Sequence, residues 1–132
     1  MSEQAQVTQT NFPGLRYRDA HAAMDWLEAV LGFERRAVPP GEGGTVMHAE
    51  LVLDGAMVML GSAAGAGEDR LPQPPGGSSI YIVVDDPDER HARAVAAGAE
   101  IARGLRDEDY GSRGFTARDP EGNLWSLGTY RP

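Results

Sequence analysis

The chain has 132 residues, a formal charge of −8 from 20 acidic residues against 12 basic ones, and no cysteine. That length fits one domain with a core of its own, and the missing cysteine excludes disulfides, thiolate metal sites and cysteine nucleophiles. All 12 basic residues are arginine, so lysine Schiff-base chemistry and a P-loop lysine are excluded, and the negative balance argues against a nucleic-acid backbone as partner.

The first ten residues, Met1 to Thr10, are polar and carry no charged segment followed by an apolar run. They read as a frayed or strand-swapping arm rather than a signal peptide. The apolar stretches are too short to span a bilayer, so a cytoplasmic protein without a membrane partner is expected. Asn11 to Arg18, with Phe12, Leu15 and Tyr17, reads as a first strand. Asp19 is placed to cap a helix from Ala20 to Leu31, where Ala23, Leu27, Val30 and Leu31 recur at helical spacing and Gly32 ends the run. Trp26 is read as packing at the edge of the core. Phe33 to Val38 is a second strand, stopped by Pro39-Pro40-Gly41. A third strand spans Thr45 to Leu53, turns at Asp54-Gly55, and returns as Ala56 to Leu60.

Residues 62–77 show no periodicity and are rich in glycine and proline, the composition of a linker or a flap that could close over a pocket. Ser79 to Val84 is a β-branched strand. Asp86-Pro87-Asp88-Glu89 then combines an N-cap, a proline at the first helical position and a glutamate two places on, starting a helix that runs to Ala97 and stops at Gly98. Ala99 to Arg103 reads as a short strand and Gly104 to Gly111 as an acidic loop. The last segment is a strand from Phe115, a turn at Asp119-Pro120-Glu121-Gly122-Asn123, and a strand alternating Leu124, Ser126 and Gly128 on one face with Trp125 and Leu127 on the other. Asp119 is assigned to the turn as a cap.

The second half repeats the punctuation of the first. The helix caps Asp19 and Asp86 are 67 positions apart, the stop glycines Gly32 and Gly98 are 66 apart, and the hairpin glycines Gly55 and Gly122 are again 67 apart. Each half reads strand, helix, strand, strand, strand. The fold expected is α+β, one domain over residues 1–132, with modules at about 11–61 and 78–130 joined by the linker 62–77. Two βαβββ modules would form a curved, cup-shaped mixed sheet with helices outside. Ile80, Ile82 and Val84 would face a helix, and Ser79, Tyr81 and Val83 would line the cup.

This repeat, with Tyr110-Gly111-Ser112-Arg113 and the closing Asp119-Pro120-Glu121-Gly122-Asn123-Leu124-Trp125, resembles the vicinal oxygen chelate superfamily. That group holds glyoxalase I, extradiol dioxygenases, fosfomycin resistance enzymes and bleomycin resistance proteins. Its metal-dependent members place one ligand on each of four cup-lining strands. The resemblance puts Phe12, Met59, Ser79 and Ser126 at those positions, none of them a carboxylate or imidazole. It therefore implies a metal-independent, bleomycin-resistance-like branch, with no cofactor.

His48 and Glu50, two apart on one strand, can chelate a metal, act as base and orienter, or belong to an ordinary solvated face with Val46 and Val52. Arg16 shares the parity of Phe12, and in the resembling glyoxalases an arginine near this place holds a substrate carboxylate. An ordinary ion-paired strand-end arginine is the alternative. His21 and His91 fall in the predicted helices and read as surface residues. The expected ligand-binding set is Phe12, Arg16, His48, Glu50, Met57, Met59, Ser79, Tyr81, Tyr110, Arg113 and Ser126, with no catalytic or metal-ligating residue assigned. The function expected is binding or sequestering a small, partly aromatic or amphipathic molecule, in a homodimer whose cups lie near the subunit interface. The net charge leans towards a cationic ligand. The alternatives are a glyoxalase- or dioxygenase-like metalloenzyme with a shifted site around His48 and Glu50, and an interaction module without a small-molecule pocket.

Overall fold

The computed structural model describes residues 9–39, 41, 43–64 and 71–132. Arg70 and the N-terminal arm through residue 8 lie outside the described residues. The elements are β1 (Gly14–Tyr17), α1 (Ala20–Trp26), β2 (Glu34–Ala37), β3 (Ala49–Leu53), β4 (Ala56–Ser62), β5 (Ser79–Val83), α2 (Pro87–Ala96), β6 (Glu100–Asp107), β7 (Arg113–Arg118) and β8 (Leu124–Gly128). The fold is α+β, built of two βαβββ modules.

Local chemistry explains most boundaries. The Asp19 carboxylate accepts from the Ala22 amide at 3.0 Å and starts α1. The helix widens into a π-helical turn over Leu27–Leu31 and ends at Gly32, whose φ of 86° is left-handed. Two arginines of α2 hold the carbonyls of that turn: Arg90 donates to Leu31 at 3.1 Å, and Arg93 to Glu28 and Ala29 at 2.9 and 3.2 Å. Asp54 and Gly55 both take positive φ, 48° and 81°, as the hairpin signal requires.

Other boundaries differ from the sequence reading. Asp86 makes no side-chain cap bond and instead lies 3.4 Å from Arg90, so α2 starts on its proline without the expected cap. Phe12 precedes β1, and His48 precedes β3. Val46 is buried and does not share the partly exposed face of His48, Glu50 and Val52. β6 continues to Asp107, through the segment expected to be a loop. It is an edge strand with two register shifts against β7, and these scramble the alternation that would have marked it. In the last turn only Gly122 takes a positive φ (94°), while Asn123 is buried.

Hydrogen bonding divides the mixed sheet into two four-stranded halves, β1-β4-β3-β2 and β5-β8-β7-β6. In each, the first and last strands of the module run parallel and the others antiparallel. The repeat extends to the pairing register: Gly14 faces Met59 and Tyr81 faces Ser126, each residue 67 positions from its counterpart. One face of each sheet packs into a core shared by both modules, with Leu15, Leu51, Val58 and Leu60 from one and Ile82, Phe115, Trp125 and Leu127 from the other. The Phe33 and Trp125 rings meet edge-on across the junction, 5.6 Å apart. The opposite face of each sheet carries partly exposed side chains, as the alternation of β5 and β8 predicts.

The junction turns on Asp119, which is 4% exposed. Its carboxylate accepts from the amides of Glu121 and Asn123 at 2.9 and 3.0 Å and from Asn123 Nδ2 at 3.0 Å. It also accepts from Trp125 Nε1 at 3.1 Å and from the Tyr17 hydroxyl at 2.6 Å. Next to it, Glu121 accepts from the amides of Arg18 and Asp19 at 2.7 and 2.9 Å. The last turn is thus clamped onto the start of α1.

Burial, reinforced by the Asp119 carboxylate, pushes the Tyr17 phenol well above its ordinary range. A raised folded pKa gives stability that is complete below the unfolded value of about 10 and is lost as pH rises above it. Tyr17→Phe is expected to cost about 1.5–3 kcal/mol at neutral pH, as for a hydrogen bond to a charged group. It should also lose less stability than the parent between about pH 8 and about pH 11, which urea unfolding at the two pH values measures. Equal losses would show that Tyr17 is not the group responsible.

Candidate functional site

The open face of the second module forms a depression of about 140 Å³ over β8, β7 and β6. Its floor contains the cross-strand glycine pair Gly114 and Gly128. A Cβ at Gly128 would stand 3.0 Å from the Tyr81 hydroxyl and 3.1 Å from Ser112 Oγ, so glycine here admits both groups. Tyr81 projects from β5 and donates to the Tyr130 carbonyl at 2.6 Å. Tyr110 is exposed at the rim and meets Tyr130 edge-on at 5.5 Å. Ser126 and Thr116, opposite each other on β8 and β7, share a hydroxyl hydrogen bond of 2.7 Å. Arg103 lines the same depression from β6, paired in register with Thr116. Glu108 also lines it, held by Arg106 at 2.8 Å.

The open face of the first module carries a smaller depression, about 90 Å³, lined by Arg16, His48, Met59 and Gln73 among others. His48 Nε2 lies 2.9 Å from Glu50 Oε2, and Arg36 lies 3.9 Å from the other Glu50 oxygen. The Arg16 guanidinium sits over Gly61, its cross-strand partner, where a Cβ would collide with it. Among the described residues Arg16 has no ion-pair partner. A third groove, of about 630 Å³, runs along the module junction between Phe12 and Tyr81.

The expected binding set is therefore distributed. Tyr81, Tyr110 and Ser126 meet in one depression, Arg16, His48 and Met59 in another, and Phe12 lines the junction groove. Ser79 is exposed opposite Leu124. Met57 lies beside Arg36, whose Nη1 is 3.6 Å from its sulfur. Arg113 is turned away to Asp88 and Asp107, at 2.8 and 3.2 Å. These contacts hold its guanidinium firmly charged and keep the Asp88 carboxyl below its usual range. His91 is not a plain surface residue: it is half-buried, 5.2 Å from the Phe115 ring, while His21 bonds the Gly44 carbonyl at 2.8 Å. A strand expected to end at Arg103 gives that residue no place on the open face, whereas β6 runs on to Asp107. Continuing the strand through its bulge places Arg103 beside Thr116.

The four positions to which the resemblance assigns metal ligands carry side chains that do not fit a divalent ion. Met59 offers a soft thioether, Ser79 and Ser126 neutral hydroxyls, and Phe12 no donor. Among the described residues no three His, Asp or Glu side chains are grouped to hold a metal ion.

The family described as the Glyoxalase/Bleomycin resistance protein/Dioxygenase superfamily matches residues 6–127. The chain belongs to this superfamily. Among solved structures, TioX from Micromonospora sp. ML1 is similar, with 32% identity and a TM-score of 0.77 over 92% of this chain and 99% of that one. A glyoxalase/bleomycin resistance protein from Streptomyces sp. CB03234 shares the fold at 24% identity and a TM-score of 0.69, over 88% of this chain and 96% of that one. An uncharacterized protein of Mycobacterium bovis is 33% identical over 121 residues, 88% of this chain and 80% of that protein. No helix among the described residues is long and apolar enough to cross a membrane.

Proposed function

We propose that this member of the superfamily binds a small, partly aromatic or amphipathic molecule on its open sheet faces without a metal, and that it works as a homodimer. The observation carrying this reading is the depression between Tyr81, Tyr110 and Ser126. The resemblance expects a metal ligand at the Ser126 position. Here a hydroxyl is bonded to Thr116 beside two exposed aromatic rings. Aromatic walls with a few directed polar groups suit a ligand held by stacking and apolar burial. The homodimer is supported by the exposure of Phe12 (40%) and Tyr81 (42%) along the junction groove, apolar surface that a second copy would cover. Cytoplasmic localisation is part of the same reading.

Elemental analysis of tag-free protein purified without chelator tests it first. Each of Mn, Fe, Co, Ni, Cu and Zn should stay well below stoichiometric, and added chelator should leave unfolding unchanged. A thermal-shift screen of small aromatics should then find a stabilising ligand. One present at 100 times its dissociation constant adds about 2.7 kcal/mol. A stoichiometric metal would overturn the proposal and favour an enzyme centred on His48 and Glu50, whose 2.9 Å contact is the observation behind that second reading.

A further inference from the structure

We infer that the depression of the second module selects an aromatic ligand bearing a carboxylate or comparable planar anion, with Arg103 as the residue that reads the charge. This rests on the small-molecule-binding reading above and names the ligand class for it.

Hydrogen-bond accounting at the depression leads to this class. Tyr81 has spent its hydroxyl proton on the Tyr130 carbonyl. Ser112 Oγ accepts from the Tyr130 amide at 3.2 Å, which leaves its own proton to donate. The Thr116 and Ser126 hydroxyls carry two protons between them and use one in their mutual bond, so a second donor remains. Arg103 lines the same space and has no hydrogen-bond or ion-pair partner among the described residues. Glu108, the carboxylate that lines the depression, already receives Arg106 on both oxygens, at 2.8 and 3.5 Å. Asp107 nearby is occupied by Arg113 at 3.2 Å.

What the site has left to offer is therefore a guanidinium and two hydroxyl donors, against aromatic walls. Its complement is a flat ring carrying an anionic, acceptor-rich group, which a guanidinium can grip through two parallel bonds. The formal charge of −8 pulls the other way. It acts over the whole surface and is screened within about 8 Å at physiological salt, whereas the guanidinium acts at contact. Local chemistry thus replaces the cationic lean taken from composition.

The test uses three matched probes, benzoate, benzamide and benzylamine, each titrated into the full chain and followed by amide chemical shifts of residues lining the depression. Benzoate should bind about fivefold or more tighter than benzamide, the advantage of a charge-assisted over a neutral hydrogen bond, and benzylamine weakest. Arg103→Gln should bring benzoate down to the level of benzamide while leaving benzamide unchanged, and Arg103→Lys should restore part of the preference. Arg103 is exposed on an edge strand, so both variants should fold, and an unchanged spectrum outside the depression checks this. Benzamide or benzylamine binding there as tightly as benzoate would overturn the inference but leave the binding reading standing. So would a benzoate preference that survives Arg103→Gln. If none of the three probes perturbs the depression at millimolar concentration, both fall.

Discussion

Asp119→Ala is expected to destabilise the fold by about 3–5 kcal/mol, the range for breaking a buried, fully hydrogen-bonded charge. The carboxylate collects five donors from two modules, and alanine supplies no acceptor for any of them. The Tyr17 hydroxyl, the Trp125 indole and the Asn123 amide would be left buried without a partner, each at a cost of about 1–3 kcal/mol before relaxation. Relief of the desolvated charge offsets part of that sum, which is why the total stays below it. Urea unfolding of the variant measures the loss. Asp119→Asn is a sharper comparison. It keeps the shape but turns one acceptor into a donor facing donors, so it should recover little of the deficit. A loss below about 1 kcal/mol for Asp119→Ala would mean that the turn closes without this hub.

Trp125→Ala is expected to cost about 3–5 kcal/mol, by cavity formation rather than by loss of charge. The side chain is fully buried and its ring meets Phe33 of the other module. Trp125→Phe should cost less, because it keeps an aromatic ring against Phe33 and gives up only the indole donor to Asp119. The Asp119→Ala and Trp125→Ala variants share that bond, so their combined effect should fall short of additive by about 0.5–3 kcal/mol. Strict additivity in a double-mutant cycle would show that the bond contributes nothing to coupling. Both variants should act on stability without touching the depression around Arg103, which lies on the opposite face of the sheet. Benzoate binding measured on whatever fraction remains folded should be unchanged.

The legible part of this chain was the part written locally. Asp19, Gly32, Asp54-Gly55 and Gly98 mark element ends because each acts on backbone within a few residues of itself, and all four behave in the structure as their chemistry requires. The alternation of β5 and β8 correctly separated buried Ile82, Trp125 and Leu127 from the open-face Ser79, Tyr81 and Ser126. Local reading failed where partners are remote. The sequence assigns Asp119 to its own turn, and its bonds to the Glu121 and Asn123 amides are there. Yet its shortest bond reaches Tyr17, 102 positions away. Arg113 belongs to the expected ligand-binding set, but Asp88 and Asp107 draw it elsewhere, and no spacing rule announces an ion pair between a strand start and a helix start.

Two levels of information divide along that line. Composition excluded thiolate and lysine chemistry outright. The caps, turn glycines and alternation, repeated at an offset of 67 positions, established two βαβββ modules and hence the superfamily architecture. These signals survive in the linear chain because they depend on φ preferences and on which face a residue occupies. The grouping of the expected binding residues into separate depressions came only with the folded arrangement, as did an Arg103 without a partner among the described residues. Both depend on strand register, on two bulges in β6 and on how oppositely charged side chains far apart in the chain pair off. Such pairings are settled by proximity in three dimensions, where every arginine competes with its neighbours for the available acids.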